Sequence, residues 1–312
     1  MGVSCRGKAT RVRVLIVVNT RSGGGDSGLY YFVRALGTSG AEITLRFCDG
    51  TRSLESLVDD AAAFDRVVAA GGDGTASALC YALRDTEIPI LVYPAGTANL
   101  LALNLNMPNE PRALADVALL GQQVRFDLGE LARPAAPNGP LIRSGFAIMA
   151  GAGYDASIME AAQQFKATIG AAAYLMAAVS NLAPTASFFE LELDGVHIST
   201  DGIAVLLVNF GRIQFDLPVA NGADPRDGLF QVAVLRTRNV VELLPAIIAA
   251  FSGAQKIPGI DVYQASRVSV AAEPKLRMQY DGEVIDAFTP FEACILPGAA
   301  NLLLPSDSPY AD

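Results

Sequence analysis

The stretch RVVAAGGDGTA, residues 66–76, drives a short apolar run into two glycines, an aspartate, a third glycine and a threonine. This reads as a buried strand over 66–70 that ends in a nearly bare loop, followed by a helix over about 74–83. Upstream, VRVLIVVN at 12–19 is a continuous apolar run, as expected of a strand covered on both faces. The Gly-rich RSGGGDSG follows, then a helical pattern with Leu29, Phe32, Val33 and Leu36 on one face. A second strand is expected at 42–48. Ser53 is placed to cap a helix carrying Leu54, Leu57, Val58 and Ala61. Downstream, a strand at 89–93 runs into PAGTANLLALNL. Strands and helices alternating over short links predict a parallel sheet with helices on both faces.

After Asp127 the texture changes. Residues 188–193 and 196–199 flank Asp194-Gly195, a two-residue hairpin signal. Further strands are expected at 203–210, 229–236, 268–272, 276–280 and 291–296, with helices at about 158–182 and 240–251 and a surface loop at 133–140. This half reads as a mostly antiparallel β domain.

The chain has 312 residues, 51% of them hydrophobic, and a formal net charge of −9. That is ample material for sizeable cores, and it excludes a nucleic-acid binder with a basic stripe. The one basic cluster, Arg6, Lys8, Arg11 and Arg13, is sparse. The four cysteines, Cys5, Cys48, Cys80 and Cys294, have no zinc-type spacing and read as reduced thiols of a cytoplasmic protein. Residues 12–18 are a strand rather than a secretory signal, and Arg6 stands where an acylation motif beginning MG wants Ser or Thr. The most apolar helix candidate, 167–182, falls short of the roughly 18 residues of a membrane span.

In an open α/β sheet, ligands lie beyond the carboxyl ends of the strands. GGDGT sits at such an end. Its glycines admit a phosphate to the backbone N–H groups, and the following helix turns its positive end to the same anion. A lone Gly-Gly would be a tight turn; the whole loop, between strand and helix, reads as a nucleotide-phosphate loop. It is neither a Walker loop nor the dinucleotide fingerprint, since no Gly-Lys-Ser/Thr follows and the glycine spacing differs.

GGDGT resembles the signature of the superfamily of diacylglycerol kinases, sphingosine and ceramide kinases, bacterial lipid kinases and NAD kinases. Three further stretches agree in order. VVNTRSGGG resembles the family's first strand and Asn-Pro-x-Ser-Gly turn, with Thr20 in place of proline. YPAGTANLLA resembles its Pro-x-Gly-Thr-x-Asn segment, and YDGEVID at 280–286 its C-terminal Asp-Gly-Glu, which favours the lipid-kinase branch. The resemblance implies an N-terminal doubly wound α/β nucleotide-binding domain, 1–127 with about 300–312 returning to it. It also implies a C-terminal β-sandwich domain, 128–299, with the active site in the cleft between them. The strand at 301–304 is the returning one.

The resemblance implies that Asn19, Gly71, Gly72, Asp73, Gly74, Thr75 and Thr97 hold ATP, with Cys48 near the nucleotide, and that Mg²⁺ accompanies the phosphates. Asp281 is the expected general base and Glu283 its weaker partner, although Asp-Gly is also a common hairpin turn. The segment NGADPRDGLF resembles a structural Mg²⁺ loop of bacterial relatives, which points to Asp224, Asp227 and the Leu229 carbonyl; the alternative is a solvated acidic turn.

Two departures stand out. Leu100 follows the Asn where many bacterial lipid kinases have Asp, and Ile148 stands where relatives often have Asn. The sole histidine, His197, has no expected role. The leading expectation is an ATP- and Mg-dependent lipid kinase acting on diacylglycerol, phosphatidylglycerol or a sphingoid base. It would touch the inner face of the membrane peripherally, with the apolar segment 169–179 as a candidate lipid entry against a plain core role, and homodimerisation left open. The alternatives are an NAD kinase-like phosphotransferase and a nucleotide-binding regulator without kinase activity.

Overall fold

Val14 to Val17 are fully buried, so the first strand has no solvent face, and the sheet is built outward from it. The computed structural model describes residues 11–22, 27–136, 139–153, 186–211, 222–236 and 258–311. Strands β1 (Arg13–Asn19), β2 (Glu42–Cys48), β3 (Arg66–Gly71) and β4 (Ile90–Pro94) pair in parallel in the order β2-β1-β3-β4. Helix α1 (Ser27–Thr38) links β1 to β2, and α2 (Asp73–Ala82) links β3 to β4. These crossovers run in opposite directions along the sheet, so right-handed connections put α1 and α2 on opposite faces. The strand order reverses between β1 and β3. The crevice at their carboxyl ends, beside Asn19 and Gly71, is the switch point where such sheets bind ligands. Helices α3 (Leu100–Asn104) and α4 (Pro111–Leu120) follow β4.

Between β2 and β3 the expected helix is absent. The chain makes two single 3₁₀ turns, Glu55–Leu57 and Ala61–Ala63. In an α-helix the Leu57 carbonyl would accept from the N–H of Ala61. Here it accepts from the Arg46 guanidinium at 2.7 Å, and Ala61 N donates to Val58 O instead. The same Arg46 pairs with Asp60.

The second half is antiparallel. It comprises β5 (Gln122–Pro134), β6 (Leu141–Phe146), β7 (Met149–Gly153), β8 (Ser187–Leu193), β9 (Val196–Gly202), β10 (Ala204–Val208), β11 (Phe230–Leu235), β12 (Ile260–Ala265), β13 (Arg267–Glu273), β14 (Arg277–Tyr280), β15 (Glu283–Phe288) and β16 (Phe291–Leu304). The hairpin between β8 and β9 turns on Asp194 and Gly195, both at positive φ, as the sequence predicts. One sheet of six strands runs β12-β11-β10-β7-β14-β15. The other strands join the parallel sheet, so one sheet of ten strands crosses both halves.

The joint is β16. The strands expected separately at 291–296 and 301–304 are one element, with a register shift between Leu296 and Ala300. Its first part pairs with β13, its end meets β4 in parallel at Leu302 and Ile90, and β5 follows it throughout. Sequence positions 127 and 299 therefore fall inside continuous strands. Two apolar cores result. One surrounds the parallel strands; the other, with Phe146, Phe189, Phe230 and Phe291, fills the space between the two sheets.

Strands β5, β6, β7, β12 and β15 and helix α4 are additions to the sequence expectation. Strand β7 reads MAGAG, with no β-branched residue to announce it. Helix α4 opens with Pro111 at its first position, and Glu110 caps Ala113 N at 2.7 Å. The helices expected at 158–182 and 240–251, and the segment 169–179, lie outside the described residues.

Candidate functional site

Strand β3 delivers Gly71 and Gly72 to the switch point, and α2 starts at Asp73. The first N–H groups of a helix lack an acceptor four residues back, so such an end can receive an anion; here the Thr75 N–H donates to the Gly72 carbonyl at 3.0 Å. The loop after β4 crosses this end at backbone contact: a Cβ on Gly96 would stand 2.5 Å from the Gly72 Cα. The Gly96 loop is fixed by Asn99, at φ 50, whose amide accepts from Gly96 N at 2.7 Å and donates to Gly96 O at 3.0 Å. Gly71 is as tightly constrained, since a Cβ there would stand 2.6 Å from the Thr75 Cβ.

Most of the polar side chains expected to meet a ligand are turned into the protein. Asn19 Nδ2 donates to Thr75 Oγ1 at 2.8 Å, and its Oδ1 accepts from Arg21 N at 3.0 Å. Thr75 is buried. Asp73 Oδ1 accepts from Leu101 N at 2.9 Å, at the start of α3. Burial raises the Asp73 pKa above the usual carboxylate value, against the backbone N–H groups of Leu101, Leu100 and Asn99, which lower it. Cys48 pairs with Asn19 across β1 and β2 and is half-buried. Its carbonyl accepts from the Thr20 N–H at 3.2 Å and the Thr20 hydroxyl at 3.1 Å; a proline at 20 would have no N–H to give. Thr97 is exposed on the crossing loop.

The β14–β15 hairpin closes the site from the second half. Asp281 and Gly282 form its turn, at φ 45 and 86, and Tyr280 pairs with Glu283. Asp281 points inward and is buried. Its carboxylate accepts from the N–H groups of Ala147 at 2.8 Å, Ile148 at 2.8 Å and Met149 at 3.1 Å. Ser77 Oγ, buried on α2, faces the same carboxylate without an aligned hydrogen bond. Burial outweighs these donors and pushes the Asp281 pKa up to about 6. Burial, helped by the charge of Asp281, also raises the Cys80 thiol to about 12, so that cysteine is inert.

Glu283 is exposed and leans on the glycine loop: a Cβ on Gly74 would stand 2.9 Å from its Oε1. The other end of α2 is also tied to the second half, through Tyr81 Oη, which donates to Glu130 Oε2 at 2.5 Å. Both ends of α2 thus meet the second half of the chain.

The acidic loop at 224–229 is braced by its own contacts. Asp224 Oδ1 pairs with Arg226 Nε at 3.1 Å, and Asp227 Oδ1 accepts from Leu229 N at 2.9 Å. Burial, then the charges of Asp224 and Asp127, raise the Asp227 pKa. Asp127 itself accepts from Gly228 N at 2.8 Å and Gly298 N at 2.7 Å. Among the described residues no three acidic, His or Cys side chains converge on one point. The donors that fit Mg²⁺ are therefore one or two carboxylates with backbone oxygens, which are hard ligands of the right kind.

Sequence reasoning gave no roles to Gly96 and Asn99, although both lie in the quoted PAGTAN segment. Ser77 and Asp127 carry no signal in the sequence; they emerge only from distances across the chain.

Comparison with known proteins agrees along nearly the whole length. The diacylglycerol kinase catalytic domain matches residues 13–131, and the YegS C-terminal NAD kinase beta sandwich-like domain matches 148–304. A Mycobacterium tuberculosis protein named "Diacylglycerol kinase" is 29% identical over 250 residues, 77% of each chain. A Klebsiella pneumoniae protein named "Probable lipid kinase YegS-like" is 24% identical over 303 residues, 95% of this chain and 97% of its own. A crystal structure of a diacylglycerol kinase from Bacillus anthracis superposes with a TM-score of 0.69 at 16% identity, covering 96% of this chain and 98% of its own. Yeast NADH kinase complexed with NADH superposes at 0.54 with 10% identity, covering 94% and 83%. These two likenesses show the fold. No helix among the described residues is long and apolar enough to cross a membrane.

Proposed function

The chain belongs to the diacylglycerol kinase catalytic-domain family with the YegS-type C-terminal domain, and on that premise we propose that it transfers the γ-phosphoryl group of ATP, bound as its magnesium complex, to a hydroxyl of a lipid. The observation that carries this reading is the Glu283 carboxylate, exposed and pressed against Gly74 where α2 begins. A phosphate at that helix end would have a carboxylate beside it, open to a second substrate.

The backbone N–H groups of the glycine loop hold the phosphates, because Asn19, Asp73 and Thr75 are engaged elsewhere. Thr97 is the exposed hydroxyl beside them. The acceptor oxygen attacks the γ-phosphorus, the bond to the bridging β–γ oxygen breaks, and ADP leaves. Glu283 takes the acceptor's proton, the role the sequence reading gave first to Asp281. A base must reach its proton, and Asp281 is buried beneath three N–H donors. Asp281 is a positioning residue: it pins the hairpin tip that carries Glu283 to the Ala147–Met149 turn. A structural Mg²⁺ would rest on Asp227 and backbone oxygens such as that of Leu229, with Asp224 released from Arg226 if its carboxylate takes part.

The test is incubation with γ-phosphate-labelled ATP and a panel of diacylglycerol, phosphatidylglycerol, sphingosine, ceramide and NAD. Label in a lipid supports the proposal. Label in NAD alone moves the reading to an NAD kinase-like enzyme, and ATP binding without transfer to any acceptor moves it to a regulator.

A further inference from the structure

We propose that the exposed upper faces of α1 and β2 form a docking surface for an anionic phospholipid bilayer; the proposal rests on the reading of the acceptor as a lipid. Tyr30 and Tyr31 on α1 are 67% and 55% exposed, and Leu45 and Phe47 on β2 are 41% and 57% exposed. They belong to one patch. Ile43 reaches α1 at Gly37, where a Cβ would lie 3.9 Å from its Cδ1. Leu45 and Phe47 share the sheet face of Ile43, because strand side chains alternate. Tyr30 lies seven residues before Gly37, two helical turns and roughly 10 Å up the same helix face. Phe47 lies four residues beyond Ile43, roughly 13 Å up the strand. Helix α1 and β2 run in opposite senses, so both climbs lead to the carboxyl end of the sheet, the end that carries the glycine loop. The rings of Tyr30 and Tyr31 meet edge to face at 5.5 Å, so they present one apolar step rather than two independent side chains.

The charge around this step names the occupant. The chain as a whole carries −9 and would be repelled by an anionic bilayer. Here the balance is reversed. Arg34 lies one turn from Tyr30 and Tyr31 and is exposed. The Arg21 guanidinium lies over the turn that leaves β2, 2.5 Å from where a Gly50 Cβ would stand. Arg52 is exposed in the same bend. Against these three arginines stand Asp49, whose carboxylate is held by Thr51 and feels Arg21, and Glu55, exposed three residues beyond Arg52. Among the described residues neither Arg34 nor Arg52 has an ion-pair partner. Aromatic and arginine side chains together suit the interface of an anionic bilayer, the rings at headgroup depth and the guanidinium groups on phosphates. A second copy of the chain fits less well, because this face, with Arg21, Arg34 and Arg52 beside its apolar step, offers a copy of itself little opposite charge to pair with.

The test is co-sedimentation of the full chain, without nucleotide, with vesicles of phosphatidylcholine alone and with added phosphatidylglycerol. Binding is expected to the phosphatidylglycerol vesicles and to weaken as salt rises. The pairs Tyr31→Ser with Phe47→Ser, and Arg34→Glu with Arg52→Glu, are each expected to lower partitioning by roughly tenfold or more. ATP affinity and transfer to a detergent-dispersed lipid should stay at the wild-type level. Wild-type partitioning by both pairs, or no vesicle binding by the wild type, overturns the proposal. So does a change of oligomeric state on light scattering in the Tyr31/Phe47 pair, which would make the patch a contact between copies. Vesicle binding as expected, with no lipid phosphorylated, would leave the surface standing and remove the acceptor reading.

Discussion

The Asp73 carboxylate accepts the Leu101 N–H at 2.9 Å, so the one charged side chain of the glycine loop serves the start of α3. Asp73→Ala should therefore behave as the loss of a helix cap, at about 0.5–2 kcal/mol. Asp73→Asn keeps an acceptor oxygen and removes a charge that burial disfavours. Its melting temperature and ATP affinity, the latter by calorimetry, should stay near wild type. A large loss of ATP affinity in Asp73→Asn with the fold intact would place the carboxylate on the nucleotide.

The two crossing glycines should respond unequally. A Cβ on Gly72 would meet Gly96 Cα at 3.5 Å, an ordinary contact, whereas a Cβ on Gly96 would meet Gly72 Cα at 2.5 Å. Gly96→Ala should cost about 1–3 kcal/mol of stability and weaken ATP binding, because the two backbones are forced apart. Gly72→Ala should unfold close to the wild-type temperature. Equal melting temperatures for the two variants would refute the close crossing.

Asp281 predicts a pH dependence of stability. Its folded-state value is raised from 3.8 to about 6, so across that interval the folded protein keeps a proton that the unfolded chain has released. Stability should fall as pH rises through this window, by on the order of 3 kcal/mol from this group, and level off above it. In Asp281→Asn this fall should be absent, so it appears in the difference between the wild-type and variant stability curves. The variant should also be less stable at low pH, since one of three backbone donors then faces an amide N–H₂. A difference curve that is flat between those pH values would contradict the burial of this carboxylate.

For the acidic loop, chelation without nucleotide should lower the melting temperature of the wild type and leave Asp227→Ala unaffected. An identical response from both proteins would remove Mg²⁺ from Asp227 and leave the loop as an Arg226-braced turn.

The parallel strands were legible because β1 and β3 are continuous apolar runs that end at glycines or at Asn19. The missing helix after β2 was not, because its apolar spacing is helical and only Arg46, a neighbour in space, takes the Leu57 carbonyl. The same limit applied at the site. The motifs identified the loops, but whether Asn19 faces a ligand or Thr75 depends on a contact across 56 residues. In Asp-Gly-Glu, the positive φ of 281 and 282 sends the first carboxylate inward and the second outward. That division comes from the turn, which sequence order alone does not resolve.

Glu283→Gln tests the central claim most directly, by single-turnover transfer from γ-phosphate-labelled ATP to the lipid the wild type phosphorylates. The substitution keeps the side chain's size and removes the base. The rate should fall by about 10²–10⁴, with ATP affinity little changed, while Asp281→Asn loses less at a pH where it is folded. Wild-type transfer by Glu283→Gln, with the chemical step shown to limit the rate, would contradict the account.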